Sequence, residues 1–207
     1  MKESKLYRTI ITILRPIARI LYRLEVTGLD NVPKTGGVII CPNHTSNVDP
    51  VVLAISLKRQ IYFMAKAELF KIKVLGKFFR ALGAFPVERG KGDTSAIDNA
   101  EEILKNGEQL GLFIEGTRSK TNEFLRPKTG CAMIAYKANV PVLPVCITGA
   151  NEHKLKLFKK NIILIGKPIF LNQQIKDGTG KEFREASRFI MENIKNLKFA
   201  QVMEKES

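Results

Sequence analysis

His44 and Asp49 belong to a short polar segment, PNHTSNVDP (Pro42 to Pro50), that directly follows a predicted strand. Because four residues separate them, a continuous helix would hold the two side chains about 140° apart and out of contact. Asp49-Pro50, however, is typical of a helix N-cap followed by proline at the first helical position. His44 then lies in the preceding loop, where the chain can fold back and bring the imidazole to the Asp49 carboxylate.

Such a pair has the chemistry of a general base. A carboxylate bonded to one ring nitrogen of a histidine fixes the tautomer and leaves the other nitrogen able to accept a proton. A simpler interpretation is that Asp49 only caps the helix and that His44 is an incidental loop residue. The spacing of the two residues alone does not decide between these interpretations.

A second polar segment, FIEGTRS from Phe113 to Ser119, also follows a predicted strand. Ligand sites in open α/β sheets lie beyond the carboxyl ends of the strands. Here Gly116 and Thr117 offer backbone N–H groups, and Arg118 carries a planar, permanently charged fork suited to a phosphate. The alternative is an ordinary polar turn in which Glu115 and Arg118 pair with each other.

Two further cations follow predicted strands in the same way. Lys66 comes after IYFMA, and Arg89 lies in GAFPVERG just past another apolar run. Each of them alone is explained by a charge in solvent. Several cations at neighbouring strand ends, however, suit an anionic group on a substrate.

Short apolar runs bounded by turn residues predict buried strands, and helix-like patterns lie between them. The predicted strands are 36–41, 61–65, 85–87, 111–115 and 141–147, with a late strand pair over 161–171. The predicted helices are 50–57, 69–82, 93–105 and 130–138, with a closing helix over 181–199. Strands and helices that alternate at this rhythm predict a single α/β domain with a largely parallel central sheet flanked by helices.

An amphipathic helix is predicted before this domain, from Leu6 to Leu24, with a kink near Pro16. One face carries Arg8, Thr12, Arg15, Arg19 and Arg23, and the other carries Leu6, Ile10, Ile13, Leu14, Ile17, Ile20, Leu21 and Leu24. Because the polar face is almost purely basic, we favour a helix that lies in a bilayer interface with its arginines toward lipid phosphates. The alternative is a core helix with a solvated basic face.

The charge balance indicates a polyanionic partner. Among 207 residues, 34 Lys and Arg stand against 20 Asp and Glu, which gives a formal net charge of +14. This excess suits nucleic acid or an anionic membrane surface. We favour the membrane, because the sequence has neither aromatic stacking platforms nor the signature of a nucleic-acid-binding fold.

Cysteine and histidine content argues against two other kinds of site. The three cysteines are widely spaced and lack a C-x-x-C pair, which disfavours a disulfide framework or a zinc site and favours a reducing cytoplasm. With two histidines the chain lacks the ligands of most metal sites. No apolar run approaches the ~20 residues that span a bilayer.

Taken together and in order, four segments resemble the sequence blocks of the glycerolipid acyltransferase family, and most closely its bacterial 1-acylglycerol-3-phosphate acyltransferases. The segments are NHTSNVDP, GAFPVERG, FIEGTRS and VPVLPV, and the resemblance runs from about Gly28 to Ile147. Two positions depart from the family pattern, because Ile114 replaces the usual proline and Pro86 the usual isoleucine or valine. Both departures change the shape of the site and leave its chemical groups in place.

The resemblance implies a role for each polar residue named above. It implies that His44 is a general base and that Asp49 orients it. It implies acceptor binding by Arg89, Glu115, Gly116 and Arg118, and we group Lys66 and Thr117 with them as substrate-binding residues. The fourth block, with Val140, Pro141 and Pro144, would shape the acyl-binding side.

The implied reaction transfers a fatty acyl group from acyl-CoA or acyl-carrier protein to the sn-2 hydroxyl of 1-acylglycerol-3-phosphate (lysophosphatidate), giving phosphatidate. No metal or bound cofactor is expected, and another lysolipid or an aminolipid is the alternative acceptor. Because acceptor and product reside in the bilayer, we expect a peripheral or monotopic protein on the cytoplasmic face of the cell membrane. Residues 1–25 are then a membrane-surface helix and residues 26–207 the catalytic domain.

Overall fold

The apolar runs of the chain pair into one central sheet. The computed structural model describes residues 5–87, 94–121, 123–149 and 154–206. Within these ranges the strands are β1 (Leu24–Thr27), β2 (Val38–Pro42), β3 (Ile61–Lys66), β4 (Ala84–Val87), β5 (Gln109–Gly111), β6 (Val142–Gly149) and β7 (Asn161–Ile165). They lie in the order β1-β7-β6-β2-β5-β3-β4, and every neighbouring pair is parallel except β6 and β7. The predicted α/β class with a largely parallel sheet is confirmed.

Helices cover both faces of this sheet. In the described ranges they are α1 (Lys5–Tyr22), α2 (Asp49–Ser56), α3 (Lys73–Ala81), α4 (Thr94–Lys105), α5 (Gly130–Ala138) and α6 (Gly180–Glu206). Successive strand residues point to opposite faces. Ile39 therefore shares a core cluster with α4, α5 and α6, whereas Ile40 shares one with α1 and α2. Because β2 and β7 are buried along their whole length, their sequences are continuous apolar runs.

Strand direction gathers several strand ends at one edge of the sheet. β2, β3, β4, β5 and β6 are parallel to one another and end there, whereas β7 and β1 run the opposite way and begin there. We call this the carboxyl edge. The polar segments that follow β2 and β5 both leave the sheet at this edge, where ligand sites of α/β sheets lie.

Strand ends were the least accurate part of the predicted pattern. The strand predicted over 111–115 is β5, which stops at Gly111. Beyond that residue the chain still bonds to β2, from the N–H groups of Leu112 and Ile114 to the carbonyls of Ile40 and Pro42. The segment that carries Glu115 is therefore a loop laid along β2 and not part of a strand.

Two other predicted elements also changed. The late strand pair over 161–171 reduces to β7, with a single bridge between Ile169 and Val142. Strand β1 was not predicted, because its four residues lie where an amphipathic helix was expected to end. That helix stops at Tyr22, and Arg23 takes a left-handed conformation with φ 43° that turns the chain into β1.

Helix α1 has three stripes of side chains where two were predicted. Tyr7 and Ile11 are buried in the core beside α2. The predicted apolar face lies to one side of this buried stripe, and the arginines lie to the other side at 100° per residue. Four members of the apolar face are exposed to solvent: Leu6 by 55%, Ile13 by 58%, Ile17 by 48% and Ile20 by 73%.

Arg15 is not free to face lipid phosphates as predicted. Its Nε and Nη2 atoms donate to the carbonyl oxygens of Ile55 at 2.8 Å and Leu57 at 3.1 Å, at the end of α2. The last carbonyls of a helix lack intrahelical partners and carry partial negative charge, so a guanidinium satisfies both deficits. Arg15 therefore ties α1 to the C-terminal end of α2.

None of the helices in the described residues is both long enough and apolar enough to cross a bilayer.

The Arg15 contact predicts a difference between two arginines of α1. We expect Arg15→Ala to lower the free energy of unfolding by about 1 to 3 kcal/mol, because it leaves two carbonyl groups without a charged donor. The exposed Arg19 provides the matched control, and Arg19→Ala should stay within about 0.5 kcal/mol of the wild type. Urea denaturation measures both, and equal losses for the two variants would contradict this account.

Candidate active site

His44 and Asp49 meet at the carboxyl edge, immediately beyond β2. His44 Nδ1 lies 2.9 Å from Asp49 Oδ2. The same carboxylate oxygen accepts the backbone N–H groups of Thr45 at 2.7 Å and Ser46 at 2.8 Å. The Asp49 side chain is fully buried, and 14% of the His44 side chain is exposed. Because a carboxylate only accepts hydrogen bonds, Nδ1 carries the ring proton and Nε2 is the unprotonated nitrogen of neutral His44.

Asp49 was predicted to be the N-cap of α2, and this is wrong. Val48 occupies the N-cap position without a side-chain hydrogen bond, and Asp49 is the first helical residue, with Pro50 beside it. The Asp49 carboxylate instead turns back to the loop of residues 44–46, where three donors converge on one oxygen. Its charge still lies at the amino end of a helix, where the helix dipole favours it.

Three residues that the sequence analysis did not single out hold His44 in place. The Asn43 side chain spans to β6, accepting the Ile147 N–H at 2.7 Å and donating to the Ile147 carbonyl at 2.9 Å. The Ser119 N–H donates to the His44 carbonyl at 2.8 Å. The Phe113 ring stacks on the imidazole, with centroids 3.9 Å apart and an angle of 25° between planes. These contacts join segments far apart in the chain, so no local pattern predicts them.

Glu115 is buried and Arg118 is exposed, and no ion pair joins these two described residues. The ordinary turn closed by a Glu115–Arg118 pair is therefore excluded. Burial raises the pKa of Glu115 to about 7, the backbone N–H groups of His44 and Leu125 lower it, and the Asp49 charge raises it further. Neither N–H group reaches a carboxylate oxygen with hydrogen-bonding geometry. The site thus holds two buried acids, Asp49 and Glu115, that lie close enough for their charges to interact.

The turn after β5 offers one of the two backbone donors that were expected. Gly116 has φ 68°, a left-handed value that suits glycine, and its N–H donates to the Phe113 carbonyl at 3.0 Å. The Gly116 N–H is therefore committed to the turn, contrary to expectation. Thr117 and Arg118 follow on the exposed side of the turn. Lys66 is the exposed last residue of β3, at the same edge, and Arg89 lies outside the described residues.

The fourth block starts at the other edge of the sheet. Val140 and Pro141 precede β6, whose carboxyl end lies beside His44, so the whole strand separates them from the imidazole. A cavity of about 410 Å³ is lined by Val140 of this block together with Phe170 and Ile175, and it contains neither His44 and Asp49 nor the described residues expected to bind the acceptor. No group of three or more metal-ligating side chains was found among the residues that the structure describes.

The raised pKa of Glu115 predicts how stability depends on pH. A carboxyl group whose pKa is raised in the folded state contributes its full stabilisation of the fold below its ordinary pKa of 4.5. This stabilisation is lost as pH rises through about 7. Relative to Glu115→Gln, the wild type should lose on the order of 2 kcal/mol of unfolding free energy between pH 4.5 and 8. Urea melts across this range measure the loss. The exposed Glu123 is the control, and a Glu123→Gln profile that matched that of Glu115→Gln would refute the assignment.

Comparison with known proteins shows a consistent relationship. The acyltransferase family model matches residues 23–148, which span more than half of the chain. The 1-acyl-sn-glycerol-3-phosphate acyltransferase of Bacillus subtilis (strain 168) is 34% identical over 167 residues, covering 79% of this chain and 82% of that protein. The enzyme of the same description from Streptococcus pneumoniae is 34% identical over 135 residues, covering 64% of this chain and 49% of that protein.

The fold has a solved counterpart as well. The crystal structure of the 1-acyl-sn-glycerophosphate (LPA) acyltransferase PlsC from Thermotoga maritima matches with a TM-score of 0.71 and 26% identity, covering 94% of this chain and 81% of that chain. The segment matched by the family model contains both His44–Asp49 and the turn that carries Glu115 and Arg118. The chain therefore belongs to the acyltransferase family.

Proposed function

We propose that this protein transfers a fatty acyl group from an acyl thioester to the sn-2 hydroxyl of 1-acylglycerol-3-phosphate, giving phosphatidate. The observation that carries the proposal is the contact between His44 and the buried Asp49 carboxylate in a chain of the acyltransferase family. The relatives in Bacillus subtilis and Thermotoga maritima, named for this acceptor, support the choice of substrate.

His44 is the general base of the proposed reaction, and Asp49 orients it. With Nδ1–H held by the carboxylate, Nε2 takes the proton of the acceptor hydroxyl while the hydroxyl oxygen attacks the thioester carbonyl carbon. The tetrahedral intermediate collapses with cleavage of the C–S bond, and the imidazolium returns the proton to the departing thiolate. The buried negative charge of Asp49 stabilises the imidazolium between these two steps.

The turn after β5 is the proposed site for the acceptor phosphate and for the oxyanion. Arg118 and Lys66 are exposed cations at the carboxyl edge, and we assign the phosphate to them together with Arg89. Because the Gly116 N–H is committed to the turn, Thr117 N–H is the better candidate for the oxyanion that forms on the thioester carbonyl. Glu115 is buried and its pKa is raised to about 7, and we propose that it fixes the conformation of this turn.

We further propose that residues 1–25 dock the enzyme on the cytoplasmic face of the membrane and that residues 26–207 form the catalytic domain. Leu6, Ile13, Ile17 and Ile20 form an exposed apolar ridge along α1 that no part of the described chain buries. A ridge of this kind on a protein with net charge +14 suits the interface of an anionic bilayer. The acyl donor is acyl-CoA or acyl-carrier protein.

Loss of the base tests the reaction. We expect His44→Ala to reduce acyl transfer at least ~10²-fold while the thermal melt stays cooperative. Asp49→Asn should also lose activity, because an amide no longer selects the Nδ1–H tautomer. Purified protein is assayed with lysophosphatidate, and with a lysolipid that lacks the phosphate, against acyl-CoA and acyl-carrier protein. Near-normal turnover by folded His44→Ala would contradict the assignment of the general base. Equal use of both acceptors would contradict the assignment of a phosphate-bearing acceptor.

Docking of the exposed α1 ridge on a bilayer is tested separately. Ile13→Asp together with Ile17→Asp should release the protein from anionic vesicles without unfolding it, because both side chains already face solvent. The neutral pair Ile13→Asn and Ile17→Asn is the control that removes apolar area without adding charge, and it should also weaken binding. Vesicle co-sedimentation and thermal melts measure the two effects. Collapse of the melt, or unchanged vesicle binding by both pairs, would show that the ridge has another role.

A further inference from the structure

A short basic loop next to α1 exposes two large apolar side chains. The segment KLKLFKK, residues 154–160, joins β6 to β7. Leu157 is 52% exposed and Phe158 is 67% exposed, and both stand between exposed lysines at 156, 159 and 160. Exposed leucine and phenylalanine side chains flanked by lysines are the composition of a segment that enters the interface of an anionic bilayer.

The loop is held in one shape by a buried asparagine. The Asn161 side chain accepts the Lys156 N–H at 2.8 Å and donates to the carbonyls of Lys156 at 2.7 Å and Lys159 at 2.8 Å. It also donates to the Tyr22 carbonyl at the end of α1. The loop therefore presents its apolar side chains from a fixed backbone that is fastened to α1.

Phe158 adopts a backbone conformation that costs free energy. Its φ of 58° lies in the left-handed region, which is uncommon for a bulky residue. The Phe158 N–H donates to the Leu21 carbonyl at 2.6 Å, so the strained residue is pinned against α1. The exposed ring gains little burial in exchange for the strain. Backbone strain of this kind is concentrated at functional and ligand-contacting positions.

The loop stands beside the candidate active site. β6 ends and β7 begins at the carboxyl edge, so residues 154–160 share that edge with His44. Lys154 Nζ donates to the Lys120 carbonyl at 3.0 Å, and the neighbouring Ser119 donates its N–H to the His44 carbonyl. On its other side the loop is bonded to the end of α1 through the Leu21 and Tyr22 carbonyls, directly after Ile20 of the exposed ridge.

We propose that residues 156–160 form a second bilayer-docking surface, in which Leu157 and Phe158 enter the lipid interface while the neighbouring Lys159 contacts anionic head groups. Lys160, the last residue of the segment, pairs with Glu25 of β1. Together with the α1 ridge this surface holds the carboxyl edge against the membrane, where a lipid acceptor can reach His44. This inference rests on the proposed function only where it gives the surface the role of bringing a lipid acceptor to His44. The docking itself is a property of the loop and of the lipid.

Phe158→Gly is the most informative variant, because it moves stability and binding in opposite directions. Glycine adopts a positive φ without strain, so the melting temperature should stay the same or rise. Binding to phosphatidylglycerol–phosphatidylcholine vesicles should weaken about tenfold, because the variant lacks the phenyl ring that inserts into the bilayer. Leu157→Ser tests the neighbour, and pure phosphatidylcholine vesicles test the contact of Lys159 with anionic head groups. Phe170→Gly is the matched control, since Phe170 is 60% exposed but follows β7 toward the other edge of the sheet.

Co-sedimentation without substrates gives the partition coefficients, and acyl transfer is measured in parallel. Weaker vesicle binding by Phe158→Gly and Leu157→Ser, with Phe170→Gly unchanged, supports the surface. Unchanged binding by both loop variants, or an equal loss for Phe170→Gly, overturns it. Unchanged vesicle binding combined with a selective loss of activity toward acyl-carrier protein also overturns it and assigns the loop to an acidic protein partner. A wild type that binds vesicles through this loop but transfers no acyl group refutes the proposed reaction and leaves the surface standing.

Discussion

The candidate active site depends on how one buried charge is stabilised. Asp49 is fully buried, and a carboxylate in that position is unfavourable unless donors surround it. Two backbone N–H groups and the His44 imidazole supply three hydrogen bonds to Oδ2. Because these donors come from three consecutive residues, satisfying the charge also sets the conformation of the loop. The imidazole is oriented by the same requirement that keeps the aspartate buried.

The sheet brings this local arrangement together with loops from distant parts of the chain. β2, β5 and β6 end at one edge, and their loops fasten to one another through Asn43 to Ile147 and through Ser119 to His44. The loop after β5 also places a second acid, Glu115, close enough to Asp49 for their charges to interact. Both acids are buried, but three donors reach Asp49 Oδ2, whereas Asp49 Oδ1 and both carboxyl oxygens of Glu115 have no hydrogen-bond partner among the described residues. Asp49 thereby orients the histidine, whereas burial raises the pKa of Glu115 to about 7.

The surface around this edge is unusually apolar for a basic protein. One stripe of α1 packs on α2, and a neighbouring stripe of isoleucines faces outward. The loop before β7 continues that exposure with Leu157 and Phe158, and Asn161 keeps it rigid at the expense of a strained phenylalanine backbone. Acyl transfer to a bilayer lipid needs the reacting hydroxyl to reach a base without leaving the membrane. The proposed docking of the α1 ridge and of residues 156–160 on a bilayer would meet this need.

The sequence alone determined the class of fold, most helices and which residues are candidates for the site, because these depend on local periodicity and on motifs whose residues are neighbours in the chain. It paired His44 with Asp49 correctly but misread Asp49 as a helix cap, since the N-cap pattern and the turn back to the loop require the same residue type. Only the tertiary structure decided what long-range contacts decide: the Phe113 ring on the imidazole, the Asn43 link to β6, the burial of Glu115, and the use of Arg15 inside the fold. It also showed that half of the predicted apolar face of α1, namely Leu6, Ile13, Ile17 and Ile20, faces solvent. Helical periodicity specifies which residues share a face, but whether that face meets the core or the solvent depends on what packs against the helix.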